Sequence, residues 1–264
     1  MQDFIKFKNA KISFGVLGKG NTIVLLHGFT ESMSIWNHFS EELSKTHQVV
    51  CIDLPGHGNS DCVDEIHSME LMADCVKAVL DHLNIQKSVM IGHSMGGYVT
   101  LSFAEKFPEN LFGMGLFHSS ALPDTAEGKA NRIKVVEFIK TNHIGFIMQF
   151  IPDLFAPEHR ERLKSEIKEL VEEGSKMTTE SIIASQLGMR DRKDKCEILK
   201  KLKVPVLFIA GKQDTRVPFD KVIEQIALPK DCVAVLLEEV AHMGYLEARE
   251  KTLYAVRTFA DGCF

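Results

Sequence analysis

A Gly-x-Ser-x-Gly pattern between an apolar strand and a helix most strongly limits how this chain can fold. The strand is predicted over 88–91 and the helix over 98–107, and Ser94 lies between them, flanked by Gly92 and Gly96. The backbone has to bend sharply at Ser94, and glycines without a Cβ let neighbouring backbone approach that bend. Such a bend lifts the hydroxyl clear of the sheet and places a helix N-terminus beneath it, which favours developing negative charge. A glycine-rich turn with an idle serine is the alternative interpretation.

Strand and helix patterns alternate on both sides of this bend. Strands are predicted over 4–8, 12–17, 22–26, 49–54, 88–91, 112–118, 204–211 and 232–237. Several of them are continuous apolar runs, which fit strands covered on both faces, as in a parallel sheet. The alternation therefore predicts an α/β fold with a mostly parallel central sheet flanked by helices.

The alternation stops between residues 120 and 197, where helices but no strand are predicted. These helices cover 129–150, 157–173 and 178–190. We therefore expect a core formed by residues 1–119 and 198–264 and a helical cap insertion formed by residues 120–197. Extra packing on the sheet edge is the other interpretation of the insertion. Because ligands bind outside the carboxyl ends of parallel strands, a lid over Ser94 is the functional one.

Two further polar residues follow strands in the second half of the chain. A serine hydroxyl is a weak nucleophile until a base, usually a histidine oriented by a carboxylate, removes its proton. Asp214 follows the strand over 204–211, and His242 follows the last strand. Since the carboxyl ends of these strands share one edge of the sheet, we expect Ser94, Asp214 and His242 to form a catalytic triad. A turn or helix N-cap role is the alternative for Asp214, in which case Asp124 is the substitute carboxylate.

Two backbone N–H groups are candidates for stabilising the anion that forms when a nucleophile adds to a carbonyl. Each such donor is worth about 3–4 kcal/mol. Met95 directly follows Ser94, and Phe29 lies in the loop after the strand over 22–26. We therefore expect the N–H groups of Phe29 and Met95 to form an oxyanion hole.

The chain resembles the α/β-hydrolase superfamily in five motifs. They are His27-Gly28-Phe29, Asp53-x-x-Gly56-x-Gly58-x-Ser60, Gly92-His93-Ser94-Met95-Gly96-Gly97, Gly211-x-x-Asp214 and Ala241-His242. The resemblance covers the chain apart from the insertion and implies an α/β-hydrolase fold with a helical cap. It also implies that Asp53 and the loop 56–60 are structural supports. We expect His27 and His93 to make supporting hydrogen bonds and His118 to be a buried structural residue.

The leading functional interpretation is a serine hydrolase that cleaves a small carboxylic ester or related acyl compound through an acyl-enzyme on Ser94. A carbon–carbon bond hydrolase or a pyruvate-eliminating lyase of the same fold is one alternative. Such enzymes need groups that hold a substrate carboxylate, and Arg190, Arg192 and Arg216 are the candidates, unless all three face solvent. A non-catalytic ligand receptor is the other alternative.

Composition limits the partners and the compartment. The net charge is −5 and there is no long basic run, so we expect neither nucleic acid nor a membrane surface as a partner. The six cysteines are scattered, which is typical of free thiols in a reducing compartment. With no signal-peptide pattern at the start of the chain, we expect a cytoplasmic protein with a small-molecule substrate, acting as a monomer or homodimer.

Neither a metal nor a cofactor is expected. His27, His57 and His93 each lie beside glycines, without a second histidine or a cysteine at ligand spacing. The glycines of the range 92–97 do not form a phosphate-binding loop, because no lysine follows them.

Overall fold

The structure, a computed structural model that describes residues 2–264, is built on one eight-stranded sheet. The strands are β1 (Gln2–Phe7), β2 (Ala10–Leu17), β3 (Thr22–Leu26), β4 (Gln48–Ile52), β5 (Ser88–His93), β6 (Leu111–Phe117), β7 (Val206–Gly211) and β8 (Cys232–Leu237). They lie in the order β1-β2-β4-β3-β5-β6-β7-β8. β2 pairs antiparallel with β1 and β4, and all other neighbours are parallel. The prediction of an α/β fold with a mostly parallel sheet is confirmed.

The central strands β3, β5 and β7 are buried along their whole length. This is why their sequences are near-continuous apolar runs rather than alternating ones. Their registers also bring the strand ends together. Leu26 at the end of β3 lies opposite Gly92 of β5, and Gly211 at the end of β7 lies opposite Leu237 of β8. The loops after these four strands therefore leave the sheet at the same edge.

Helices cover the sheet and join its strands. They are α1 (Asn37–Leu43), α2 (Met69–His82), α3 (Met95–Lys106), α4 (Ala126–Phe150), α5 (Lys164–Gly174), α6 (Thr179–Asp191), α7 (Cys196–Lys201), α8 (Phe219–Ile226), α9 (Gly244–Glu247) and α10 (Arg249–Cys263). One face of α2 is apolar and is buried at Met69, Met72 and Val76. Ser68 begins that helix by accepting a hydrogen bond from the Leu71 amide.

Helices α4 to α7 lie in the β6–β7 segment, which we define as residues 118–205. The second predicted helix of this segment, over 157–173, begins only at Lys164, because Pro157 starts a separate single turn of 3-10 helix. Helix α4 is broken at Asn142, whose φ and ψ of −157° and 71° are not helical. In the part of α4 that follows the break, Ile147 is buried whereas Ile144 is exposed.

The longest helix has 25 residues but includes this break. Within residues 2–264, none of the helices combines the length and the apolar character that a bilayer crossing requires.

Candidate active site

The backbone bend predicted at Ser94 is present between β5 and α3. Ser94 has φ 48° and ψ −113°, a left-handed conformation that is strained for a residue with a side chain. A Cβ on Gly92 would lie 2.2 Å from the Gly96 carbonyl, and a Cβ on Gly96 would lie 2.5 Å from the Leu26 carbonyl oxygen. Both glycines are therefore steric requirements of the bend. The Ser94 amide donates to the Phe117 oxygen at 2.9 Å, which ties the bend to β6.

The structure brings Ser94, His242 and Asp214 together in one chain of hydrogen bonds. His242 Nε2 lies 2.9 Å from Ser94 Oγ, and His242 Nδ1 lies 2.8 Å from Asp214 Oδ2. The other carboxylate oxygen, Oδ1, accepts the backbone N–H groups of Arg216 and Val217 at 2.8 and 2.9 Å. Asp214 and His242 are buried, whereas Ser94 is only half-buried. Of the three residues in this hydrogen-bond chain, Ser94 is thus the most accessible to a small molecule from solvent.

A second histidine contacts the same carboxylate. His118 Nδ1 lies 3.2 Å from Asp214 Oδ2, and the residue is buried, as expected from the sequence. Burial lowers the pKa of His118, so at neutral pH it is an uncharged imidazole that donates through Nδ1. Burial by itself raises the pKa of Asp214, but the His242 and His118 imidazoles outweigh it and hold this pKa well below its usual range. Asp214 is therefore an ionised carboxylate.

The two N–H groups predicted to bind an oxyanion lie beside Ser94 and after β3. Among residues 2–264, neither the Phe29 nor the Met95 amide donates a hydrogen bond. The Phe29 N–H belongs to the same peptide unit as the Gly28 oxygen, which accepts a hydrogen bond from His27 Nδ1 at 2.7 Å. His27 Nε2 accepts the Leu54 amide at 2.9 Å, and burial lowers the pKa of His27. A neutral His27 with its proton on Nδ1 thus orients the peptide that carries the Phe29 donor.

The structure adds a buried ion pair that the sequence did not predict. Glu31 Oε2 accepts hydrogen bonds from the Gly28 amide at 2.5 Å and from His93 Nδ1 at 2.9 Å, and Glu31 Oε1 accepts the Tyr245 hydroxyl at 3.0 Å. His93 Nε2 lies 2.9 Å from the backbone oxygen of His242. Both His93 nitrogens face oxygen acceptors, so the imidazole donates through both and carries a positive charge. A glutamate four residues after the His27 of the first motif is the only sequence signal of this pair.

The pKa directions agree with this charge assignment. Burial alone lowers the pKa of His93, but the Glu31 carboxylate outweighs it and raises this pKa above its ordinary value. Burial alone raises the pKa of Glu31, and the His93 cation outweighs that effect and lowers it. Both directions favour the charged form of each partner, in agreement with the two acceptors that face His93.

The loop after β4 is fastened by its own aspartate. Asp53 Oδ1 accepts the Met33 amide at 2.8 Å, and Asp53 Oδ2 accepts the Asn59 amide at 2.9 Å. Ser60 Oγ donates to the Asp53 backbone oxygen at 2.6 Å. These contacts give Asp53 and this loop the supporting place that the family resemblance implied.

Other charged residues singled out from the sequence are mostly paired with each other. Asp124 accepts Arg192 Nη1 at 2.7 Å and is also hydrogen-bonded to Arg132 Nε, so its oxygens contact arginines rather than His242. Arg190 pairs with its neighbour Asp191 at 2.7 Å. The Arg216 guanidinium lies 5.0 Å above the ring of Phe150. Among residues 2–264, it has no carboxylate within salt-bridge distance.

One group of side chains has the residue types of a metal site. The ligand atoms of His118, Asp214 and His242 lie within 4.8 Å of one another. Their nitrogens, however, donate protons to the shared carboxylate, and a metal would need those nitrogens as lone-pair donors. The hydrogen bonds favour a proton-transfer arrangement, and the absence of a metal stays a prediction.

Comparison with known proteins supplies a family. A family model described as the alpha/beta hydrolase fold matches residues 21–248. A thermophilic esterase from Thermogutta terrifontis, solved with malate bound, has a TM-score of 0.94 and 28% identity, covering 100% of this chain and 99% of that one. The dihydrolipoyllysine-residue acetyltransferase component of the acetoin cleaving system of Pseudomonas putida is 28% identical over 243 residues, 90% of this chain and 63% of that protein.

A shorter match is to the 2-hydroxy-6-oxononadienedioate/2-hydroxy-6-oxononatrienedioate hydrolase of Escherichia coli. It is 36% identical over 110 residues, which make up 39% of this chain and 38% of that protein. The chain spans less than two thirds of the length of either of these curated relatives.

Proposed function

The chain belongs to the α/β-hydrolase family, and from that premise we propose that it is a serine hydrolase. Its substrate is a small carboxylic ester or a related acyl compound. The observation that carries this proposal is the unbroken hydrogen-bond chain from Ser94 Oγ through His242 to Asp214, with distances of 2.9 and 2.8 Å. The similarity to the Thermogutta terrifontis esterase supports an ester as the substrate.

In the proposed mechanism, Ser94 Oγ attacks the substrate carbonyl while His242 Nε2 takes its proton. The ionised Asp214 keeps the His242 proton on Nδ1 and stabilises the imidazolium that forms. The anionic oxygen is bound by the Phe29 and Met95 N–H groups, which donate to no other acceptor within residues 2–264. His242 then gives its proton to the leaving alcohol, and a water activated by the same imidazole releases the acyl group from Ser94.

We further propose that residues 120–197 are a cap on a core formed by residues 1–119 and 198–264. Phe146 and Phe150 of α4 lie with their ring centroids 6.2 and 5.6 Å from the ring of Phe29, next to the proposed oxyanion donor. Aromatic rings at this position favour an apolar acyl or alcohol group in the substrate.

A chain-length series of p-nitrophenyl esters tests the proposal directly. Ser94→Ala is expected to lower kcat by at least about 10⁴-fold, because the nucleophile is lost. Ser88→Ala is the matched control, since Ser88 lies at the start of the same strand and its buried Oγ has no hydrogen-bond partner in residues 2–264. Equal turnover by the Ser94→Ala variant and the wild type would refute the proposal.

The second candidate is cleavage of a carbon–carbon bond, or an elimination, in a substrate that carries a carboxylate. The observation that favours it is the Arg216 guanidinium, which lies over Phe150 without a carboxylate partner in residues 2–264. The match to the Escherichia coli dioate hydrolase supports the same substrate class. If this candidate is right, Arg216→Ala raises KM for carboxylated substrates only, whereas Arg190→Ala, which removes a pair with Asp191, does not.

A further inference from the structure

A buried carboxylate outside the proposed triad lies beside the loop that carries His242. Glu247 ends helix α9, and its side chain is fully buried. Its Oε1 accepts the Met243 amide at 3.0 Å, and its Oε2 accepts the Ala241 amide at 3.3 Å. The carboxylate therefore binds the two amides on either side of His242.

The same carboxylate binds the β6–β7 segment. Glu247 Oε2 also accepts the Ala156 amide at 2.9 Å and His159 Nδ1 at 3.0 Å. Next to them, the backbone oxygen of Leu154 accepts the His242 amide at 2.9 Å. Three consecutive residues of the His242 loop are thus hydrogen-bonded, directly or through Glu247, to residues 154–159.

The donors around Glu247 require a side chain that has two hydrogen-bond acceptors and no donor. The three backbone partners of Glu247 are N–H donors, and the position is closed to water because the side chain is fully buried. A glutamine would place its NH2 group against at least one N–H, which leaves both donors without an acceptor. These amides and His159 surround the carboxylate, and within residues 2–264 it has no lysine or arginine side chain at salt-bridge distance.

We propose that Glu247 is a positioning residue. It couples the packing of residues 154–159 against the His242 loop to the position of the His242 imidazole. The inference rests on the proposed function of His242 as the base for Ser94. If residues 154–159 move away, the His242 loop loses the Leu154 oxygen and Glu247 loses two donors. The imidazole then leaves its place 2.9 Å from Ser94 Oγ. The position of the β6–β7 segment thereby determines whether His242 can accept the proton of Ser94.

Kinetics and NMR of matched variants test this coupling. Glu247→Gln is expected to lower kcat by about 10- to 100-fold with little change in KM, because a displacement of about 1 Å in a reacting group has an effect of this size. Labelling of Ser94 with a fluorophosphonate, counted by mass spectrometry, corrects for any inactive fraction. The low-field proton NMR signal of the His242 Nδ1–H to Asp214 hydrogen bond should weaken in the same variant. Glu250→Gln, an exposed position three residues later, should match the wild type in all three measurements.

The outcomes separate this inference from the proposed function. Unchanged kcat and an unchanged low-field signal in Glu247→Gln, with only a lower melting temperature, would overturn the coupling. If the wild type hydrolyses no ester, the proposed function fails, and the low-field signal alone decides the coupling: its loss in Glu247→Gln supports it and its retention refutes it. If Glu247→Gln does not fold, His159→Ala, which keeps Ala241 and Met243 bonded to Glu247, replaces it. A smaller fall in kcat then supports the coupling, and wild-type kcat and signal refute it.

Discussion

Two loops meet at Ser94: the first carries Phe29 and the second carries His242. Each loop is hydrogen-bonded to a buried glutamate, Glu31 in the first case and Glu247 in the second, but the other partners of the two glutamates lie in different parts of the molecule. Near Phe29, Glu31 binds Gly28, His93 and Tyr245, which all lie outside the β6–β7 segment. Near His242, half of the donors to Glu247 come from the β6–β7 segment. The segment contacts the first loop through the Phe146 and Phe150 rings beside Phe29 and through Glu173, which accepts from Ser32 and Ser34, but among residues 2–264 it gives Glu31 no hydrogen bond. Within residues 2–264, the hydrogen bonds to Glu31 thus come from outside the β6–β7 segment, whereas this segment shares in holding the loop of the proposed base.

The two glutamates also differ in their counter-charge. Glu31 faces the doubly protonated His93, whereas Glu247 is satisfied by backbone amides and the partly exposed His159. Removing one partner of a buried ion pair leaves an uncompensated charge, whereas removing an acceptor from amides costs hydrogen bonds. Replacing Glu31 is therefore expected to lower the free energy of unfolding by a different amount than replacing Glu247.

The largest expected effect concerns Asp214, the carboxylate partner of His242. Asp214→Asn should lower kcat by about 10⁴-fold, because an amide no longer holds the imidazole in the required tautomer. The measurement is steady-state ester hydrolysis at neutral pH. Asp124→Asn is the control, since Asp124 pairs with Arg132 and Arg192. Loss of turnover in the Asp124 variant with retention in the Asp214 variant would reverse the proposed roles.

Substituting the two glutamates tests the comparison of counter-charges. Glu31→Gln should reduce the free energy of unfolding by about 3–5 kcal/mol, because the His93 cation loses its partner. Glu247→Gln should reduce it by about 1–3 kcal/mol, the cost of buried donors left without acceptors. Urea denaturation of both variants measures the difference. Equal losses would show that the Glu31 and His93 charges do not distinguish the two sites.

The ion pair also predicts a pH window of stability. The pKa of His93 is raised above its ordinary 6.5, so its stabilising contribution is complete below pH 6.5 and is lost as the pH rises through the folded value. The pKa of Glu31 is lowered below 4.5, so its contribution is complete above pH 4.5 and is lost as the pH falls through the folded value. The difference in unfolding free energy between wild type and a Glu31→Gln/His93→Gln variant should therefore be greatest between pH 4.5 and 6.5. A difference that is constant with pH would contradict the charged pair.

The smallest expected effect concerns the third partner of Glu31. Burial raises the pKa of Tyr245 well above its ordinary value, so its hydroxyl remains a donor. Tyr245→Phe removes that donor without opening a cavity and should cost about 1 kcal/mol of stability. Ester turnover should stay close to that of the wild type, because Gly28 and His93 still hold Glu31. A large loss of kcat would show that Gly28 and His93 alone do not hold Glu31 and the first loop in place.

The part of this arrangement that follows the chain locally could be predicted from the sequence. Apolar runs identified β3, β5 and β7, and the bend at Ser94 was predicted because only glycines fit at positions 92 and 96. Asp214 and His242 could be placed near Ser94 because each follows a parallel strand. Their catalytic roles remain proposals.

The contacts behind the site could not be predicted in this way. Glu31 and His93 are 62 residues apart, and Glu247 and Ala156 are 91 residues apart, with no periodicity that relates them. The break of α4 at Asn142 and the late start of α5 also escaped prediction, because both depend on local capping and packing rather than on the apolar pattern.

The sequence by itself determined the sheet, the backbone bend and the order of the three residues that meet there. These features depend on steric limits and burial patterns that act over a few consecutive residues. The parallel direction of the strands then brings their carboxyl ends, and the three residues that follow them, to one edge of the sheet. Only the tertiary structure decided that Glu31 binds the Phe29 loop and Glu247 the His242 loop, and that the β6–β7 segment supplies donors to Glu247. A buried carboxylate binds whichever donors the packed chain brings to it, and those donors are backbone amides that every residue type except proline carries. Residue identity therefore predicts that such a group needs partners, and the fold alone selects them.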